Sequence, residues 1–159
     1  MVKNLFVALI AFFLLMNGQK IYAQSENPLQ RCTSLEDSLS YLKSYFLKGD
    51  KFISKPVKNV FRSYENLMPI KYLTTLETSP WIDPKGRSYL QGVSLYYYDL
   101  AELQLANREG RPVIYVDIYF EDTGITDYDF WQSIPEGDED AIFENLANYI
   151  VKEIKIYIL

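Results

Sequence analysis

The stretch from 112 to 121 constrains the fold of this chain more than any other. Apolar residues alternate there with tyrosines and an aspartate: Ile114, Val116, Ile118 and Phe120 against Val113, Tyr115, Asp117 and Tyr119. A period of two is the pattern of a β-strand with one face in a core. A shift of one residue would place Asp117 in that core, so the pattern predicts the facing of the strand as well.

The remaining segments predict helices and strands in mixed order. A hydroxyl residue followed three positions later by an acid, as in Thr33…Glu36 or Ser34…Asp37, starts a helix that Gly49 ends. The other predicted elements are a helix from Pro56 to before Pro69, strands at 70–77, 88–98, 112–121 and 151–158, a short helix at 99–107, a long loop at 122–137 and a helix opened by Asp138 or Glu139. A helix continuing to the C-terminus is the alternative for 151–158.

This order of elements predicts an α+β fold. Helices first, then strands with short connections, favour an antiparallel sheet of about four strands with helices packed on one face. The predicted organisation is a signal peptide at 1–23, a flexible leader at 24–32 and a single α+β domain at 33–159. On the strand at 88–98, Val93, Leu95 and Tyr97 are predicted to face the core.

The N-terminus has the three parts of a secretory signal peptide. Lys3 supplies positive charge, an apolar run extends from Leu5 to Met16, and Ala23 precedes Gln24. The run is short for a membrane span, which needs roughly 20 apolar residues. We therefore expect cleavage before Gln24 and export to the periplasm or the extracellular space, with a retained anchor as the alternative and no membrane span after cleavage.

The charge of the chain limits its partners. Without Lys3 and Lys20 of the signal peptide, 14 basic and 21 acidic residues remain, a formal charge of −7. An acidic balance disfavours binding to nucleic acid, which basic patches support, and suits a basic protein.

The chain has no histidine and one cysteine, Cys32. Histidine is the commonest general base and the commonest metal ligand, so catalytic triads and His-based zinc sites are excluded. The acids around 121–140 do not have the spacing of a calcium-binding EF-hand, and Asp138 to Asp140 are where a helix start favours negative charge. We expect no metal, no cofactor and no catalytic residue, and therefore not an enzyme.

Tyrosine is the unusual residue, with 14 in the chain. Five tyrosines are predicted to lie opposite the core on three strands, with an aspartate and a lysine among them: Tyr96, Tyr98, Tyr115, Tyr119 and Tyr157, with Asp117 and Lys155. Tyrosine combines apolar area with a hydroxyl at low entropic cost, which suits recognition of a peptide or a glycan. The plain alternatives are that tyrosine favours strands or that the loop at 122–137 covers this surface.

Sequence reasoning therefore predicts a binding or interaction module with Asp117 as a specificity group. A hydrolase that uses only carboxylates, with Asp117 and Glu121 as the pair, and an acidic inhibitor or immunity-type protein are the alternatives. Trp81 and Trp131 are each interpreted as filling the edge of the core or as recognition aromatics.

Three segments carry a resemblance to known proteins: Phe52-Ile53-Ser54-Lys55-Pro56-Val57, Leu95-Tyr96-Tyr97-Tyr98-Asp99 and Val116-Asp117-Ile118-Tyr119-Phe120-Glu121. Together with the Ala23-Gln24 junction, the chain resembles small, uncharacterised secreted proteins of Bacteroidota. The resemblance implies a periplasmic or surface setting and no particular catalytic residue.

Overall fold

A computed structural model describes Leu29, Cys32, residues 34–78 and residues 83–159 of the chain. The predicted signal peptide at 1–23, most of the predicted leader, Thr33 and Trp81 lie outside the described residues.

The described chain forms a four-stranded sheet and five α-helices, which confirms the α+β fold. The elements are α1 (Leu35–Phe46), a 3₁₀ turn (Lys48–Asp50), α2 (Lys58–Glu65), β1 (Tyr72–Glu77), β2 (Leu90–Tyr96), α3 (Leu100–Glu109), β3 (Ile114–Phe120), α4 (Asp127–Gln132), α5 (Glu139–Leu146) and β4 (Val151–Ile158). None of these helices is long and apolar enough to cross a membrane.

The strands lie in the order β1-β2-β3-β4, and every neighbouring pair is antiparallel. Sequence order and spatial order therefore coincide, as short connections predict. The final strand has the bounds that its alternation of Ile154 and Ile156 with charged residues predicts, so the helical alternative for this segment is wrong.

A single hydrophobic cluster lies between the sheet and its helices. Strands β2, β3 and β4 contribute the residues of one face, and helices α1, α2, α4 and α5 contribute their apolar stripes. Val116, Ile118 and Phe120 are buried in it, as the alternation in β3 predicts. The opposite face of the sheet does not take part in this cluster.

Side-chain caps fix where α1 and α3 begin. Ser34 accepts a hydrogen bond from the backbone N–H of Asp37 at the start of α1. Asp99 and Glu102 form a reciprocal capping box at the start of α3. Such caps satisfy first-turn N–H groups that have no partner within the helix.

Two predicted strand details are wrong, and the cap of α3 explains both. The strand predicted at 88–98 ends at Tyr96, because Asp99 caps α3 and the chain must leave the sheet before that helix. Tyr97, which was predicted to face the core, is exposed beyond the strand.

The predicted loop at 122–137 contains a helix instead. Thr126 caps α4 by accepting a hydrogen bond from the N–H of Asp129, a signal that sequence reasoning missed.

Pro56 lies two residues before α2, where it forms an isolated bridge with Ile150.

At Gly92 in β2, the backbone of β3 leaves no room for a side chain. A Cβ atom there would overlap the carbonyl oxygen of Ile118 and lie 3.0 Å from Cα of Tyr119. We expect Gly92→Ala to lower the free energy of unfolding by about 1–3 kcal/mol, the usual cost of forced overpacking. Chemical denaturation measures the loss, and Gln91→Ala at the exposed neighbouring position is the control. Equal stability of the two variants would contradict the close approach.

Candidate functional site

The face of the sheet opposite the core carries three rows of residues, which we call the tyrosine face. Cross-strand register defines the rows as Tyr72–Tyr96–Tyr115–Tyr157, Thr74–Ser94–Asp117–Lys155 and Leu76–Gly92–Tyr119–Glu153. Each of the four strands contributes one residue to every row. The first row is therefore an unbroken line of tyrosines across all four strands.

Neighbouring rings of the first row lie close together, and two of the three pairs are stacked. Ring centroids lie 5.8 Å apart between Tyr72 and Tyr96, 5.3 Å between Tyr96 and Tyr115, and 5.4 Å between Tyr115 and Tyr157. The last two pairs are nearly parallel, with interplanar angles of 19° and 26°. Because stacked rings cover each other's faces, this row presents ring edges and hydroxyl groups to a ligand.

Asp117 lies in the middle of the second row. Its side chain is buried, with 5% of the residue exposed, and its neighbour Ser94 is 3% exposed. The Ser94 hydroxyl donates to Oδ1 of Asp117 at 2.5 Å, and the Tyr119 hydroxyl donates to Oδ2 at 3.4 Å. The carboxylate therefore has one short hydrogen bond and one long, weak one.

Lys155, the lysine in these three rows of described residues, forms no ion pair with this carboxylate. Lys155 is the cross-strand partner of Asp117, but its ammonium pairs with Glu153 at 3.0 Å and lies 4.6 Å from the Tyr119 ring centroid. The hydrogen bond to Glu153 is the main cause that raises the pKa of Lys155. Among the described residues, the ion pairs include none for Asp117.

Burial dominates the electrostatics of the face. Loss of solvent raises the pKa of the Asp117 carboxyl, and the hydrogen bonds from Ser94 and Tyr119 and the charge of Lys155 oppose that effect only in part. Loss of solvent also raises the pKa of Tyr96, Tyr115 and Tyr119. Perturbed carboxyl pKa values cluster at functional sites, which makes Asp117 a candidate functional residue.

The structure brings together most of the predicted site residues. Tyr96, Tyr115, Asp117, Tyr119 and Tyr157 all lie on the tyrosine face.

Tyr98 does not lie on that face. It follows the end of β2 and lines a cavity of about 240 Å³ with Leu29, Tyr64 and Met68. The prediction for Tyr98 assumes that β2 continues through residues 97 and 98. The strand instead ends at Tyr96, and the chain turns there into α3.

Sequence reasoning missed Tyr72, the first tyrosine of the row. The alternation in β1 was visible, but Leu73 and Leu76 make both of its faces partly apolar, so the facing of Tyr72 could not be assigned. Its cross-strand pairing with Tyr96 is what places it.

The other candidates have more ordinary surroundings. Asp138 caps α5 by accepting from the N–H of Ala141 at 3.0 Å, as expected for acids at a helix start. Glu121 is exposed beyond the end of β3, and the described contacts of Asp117 do not include it. Within the described ranges there is no cluster of three residues that could hold a metal ion. Trp131 lies on α4, 38% exposed.

The chain matches no protein-family model, no curated protein and no solved structure.

Removing the charge of Asp117 tests the electrostatics of this face. Folding raises the pKa of this carboxyl, so the folded chain holds its proton more tightly than the unfolded chain. The ionised carboxylate then costs stability above the folded pKa, and the cost disappears as the pH falls below the unfolded value of about 4. We expect Asp117→Asn to have a higher Tm than the wild type at pH 7, with the difference closing towards pH 4.

Thermal unfolding at both pH values measures this effect. Glu121→Gln removes one negative charge at the exposed end of the same strand and controls for net charge. If Asp117→Asn is less stable than the wild type at both pH values, the ionised carboxylate stabilises the fold and the assignment of its role is wrong.

Proposed function

We propose that this chain is an exported binding module whose tyrosine face recognises a peptide segment that carries a basic side chain. The observation that carries the proposal is Asp117, a buried carboxylate surrounded by tyrosines and without an ion-pair partner among the described residues. A carboxylate in such a place is costly unless something offsets its charge. A lysine or arginine of a ligand supplies that offset.

The geometry of the tyrosine row favours a peptide over a glycan. Sugars stack on exposed ring faces, whereas Tyr96 and Tyr115 are each covered by neighbouring rings. Ring edges and hydroxyl groups suit hydrogen bonds and close packing with a peptide backbone. The hydrogen bond from the Tyr119 hydroxyl to Asp117 is long, so a donor group of the ligand can take its place at the carboxylate.

Charge supports the same ligand class. The acidic balance of the chain attracts basic segments from a distance. Asp117 then selects among them, since a ligand without a cation would leave the carboxylate unpaired. The signal peptide predicted at 1–23 supports export, and a partner would accordingly be met outside the cytoplasm.

Binding and folding can be separated at Asp117. We expect Asp117→Asn to fold normally and to lose retention, by more than about tenfold in affinity, on an array of peptides that contain lysine or arginine but no alternating apolar residues. Tyr128→Ala, at a 71% exposed tyrosine on α4, should bind like the wild type. If Asp117→Asn binds basic peptides as well as the wild type, or if the wild type retains neutral glycans instead, the proposed ligand class is wrong.

Truncation of the tyrosines gives a second test. Tyr115→Ala and Tyr119→Ala should remain folded, because both side chains are only half-buried, and should lose peptide retention. Tyr64→Ala, in the core with 1% exposure, should cost roughly 3–5 kcal/mol. Unfolding of all three variants would make Tyr115 and Tyr119 structural residues. Equilibrium denaturation alongside the array measures both properties.

A further inference from the structure

We infer that the outer edge of β1 is a second binding site, which takes an extended peptide of a partner protein by adding it to the sheet as a fifth strand. Tyr72 and Thr74 lie where this edge meets the tyrosine face, but the site does not involve Asp117 and does not rest on the function proposed above.

The backbone of β1 supplies the template. Within the described chain, β1 pairs with β2 alone. On a strand with one antiparallel partner, alternate residues direct their N–H and C=O groups away from that partner. Proteins usually protect such edges with charges, prolines or bulges. The segment from Tyr72 to Leu76 has none of these, and the one bulge in β1 comes after it, between Leu76 and Glu77.

The other edge of the sheet is protected. Strand β4 carries Lys152, Glu153 and Lys155 along its length. Its first residue, Val151, accepts a hydrogen bond from the N–H of Ser54 at 2.8 Å and donates one to the carbonyl of Lys55 at 2.9 Å. The two edges therefore differ, and only β1 offers an uncharged run of backbone to another strand.

A groove of about 400 Å³ follows β1. Residues 70–75 form one wall, and Trp131, Ile142 and Phe143 of α4 and α5 form the other. The indole N–H of Trp131 donates to the Thr75 hydroxyl at 3.3 Å, which fixes the tryptophan beside the strand. In strand addition, main-chain hydrogen bonds hold the peptide, and alternate side chains enter pockets. The apolar wall therefore selects apolar residues at every second position.

Charge beside the groove sets the direction of the partner. Trp131 and Ile142 also line a neighbouring hollow of about 250 Å³, together with Glu136 and Asp138. On the β1 wall of the groove, the ammonium of Lys71 is already held by Glu102 at 3.1 Å. The occupant that fits is an extended peptide with alternating apolar residues and a lysine or arginine at the end near Glu136.

Backbone methylation tests strand addition directly on the wild-type protein. The probe is an array of peptides of about ten residues, the upper length of ordinary strands, with apolar residues at alternate positions and a terminal lysine. A retained peptide is then remade in two forms, each N-methylated at one of the two alternating sets of amides. We expect one form to bind more than about tenfold more weakly and the other to bind like the parent. Equal binding of both forms, or no retained peptide, would overturn the proposal.

Variants locate the site. Trp131→Ala should weaken the same peptide more than about tenfold, whereas Tyr128→Ala on the same helix should not. Asp117→Asn should leave this binding unchanged, so failure of the proposed function and failure of the edge site are distinguishable. Retention unaffected by Trp131→Ala would place the peptide elsewhere. Sedimentation of the protein alone provides the last check, because a dimer that Trp131→Ala dissociates would make a second copy of this chain the occupant and exclude the partner peptide.

Discussion

The pairing of β3 with neighbours on both sides is the constraint on which the other features of this molecule depend. Its apolar residues hold the core together from one side of the sheet, and the intervening residues build the tyrosine face on the other. Because side chains alternate strictly along a strand, burying Val116 and Ile118 requires Asp117 to lie between them on the opposite face. The site is thus a direct consequence of how the core is made.

The antiparallel register then distributes the site over the sheet. Asp117 is opposite Ser94 on one side and Lys155 on the other. Tyr115 in the same way has a tyrosine on each side. A change in the register of one strand would break all of these cross-strand pairs at once. The tyrosine face therefore depends on packing in the core, on the other side of the sheet, and on the close approach at Gly92.

Sequence reasoning identified the parts of this molecule that depend on local pattern. The alternation in β3 and β4 predicted both strands and their facing, and hydroxyl or acidic caps predicted the starts of α1, α3 and α5. It failed where two local signals compete. Residues 97 and 98 continue the strand pattern of β2, but the capping box of α3 ends the strand before them. It also missed Tyr72 and the groove along β1, because cross-strand neighbours and the meeting of α4 with an edge strand are set by tertiary pairing alone.

The tyrosine row has a consequence for the thermodynamics of the recognition proposed above. Each ring in the interior of the row is confined between two others, so most of its rotameric freedom is already lost when the chain folds. Ordering rotamer-rich side chains at an interface usually costs about 0.5–1.5 kcal/mol for each one. A ligand that meets a surface ordered in advance avoids much of that loss. Its association would then be governed by how readily the ligand itself becomes ordered rather than by rearrangement of the protein.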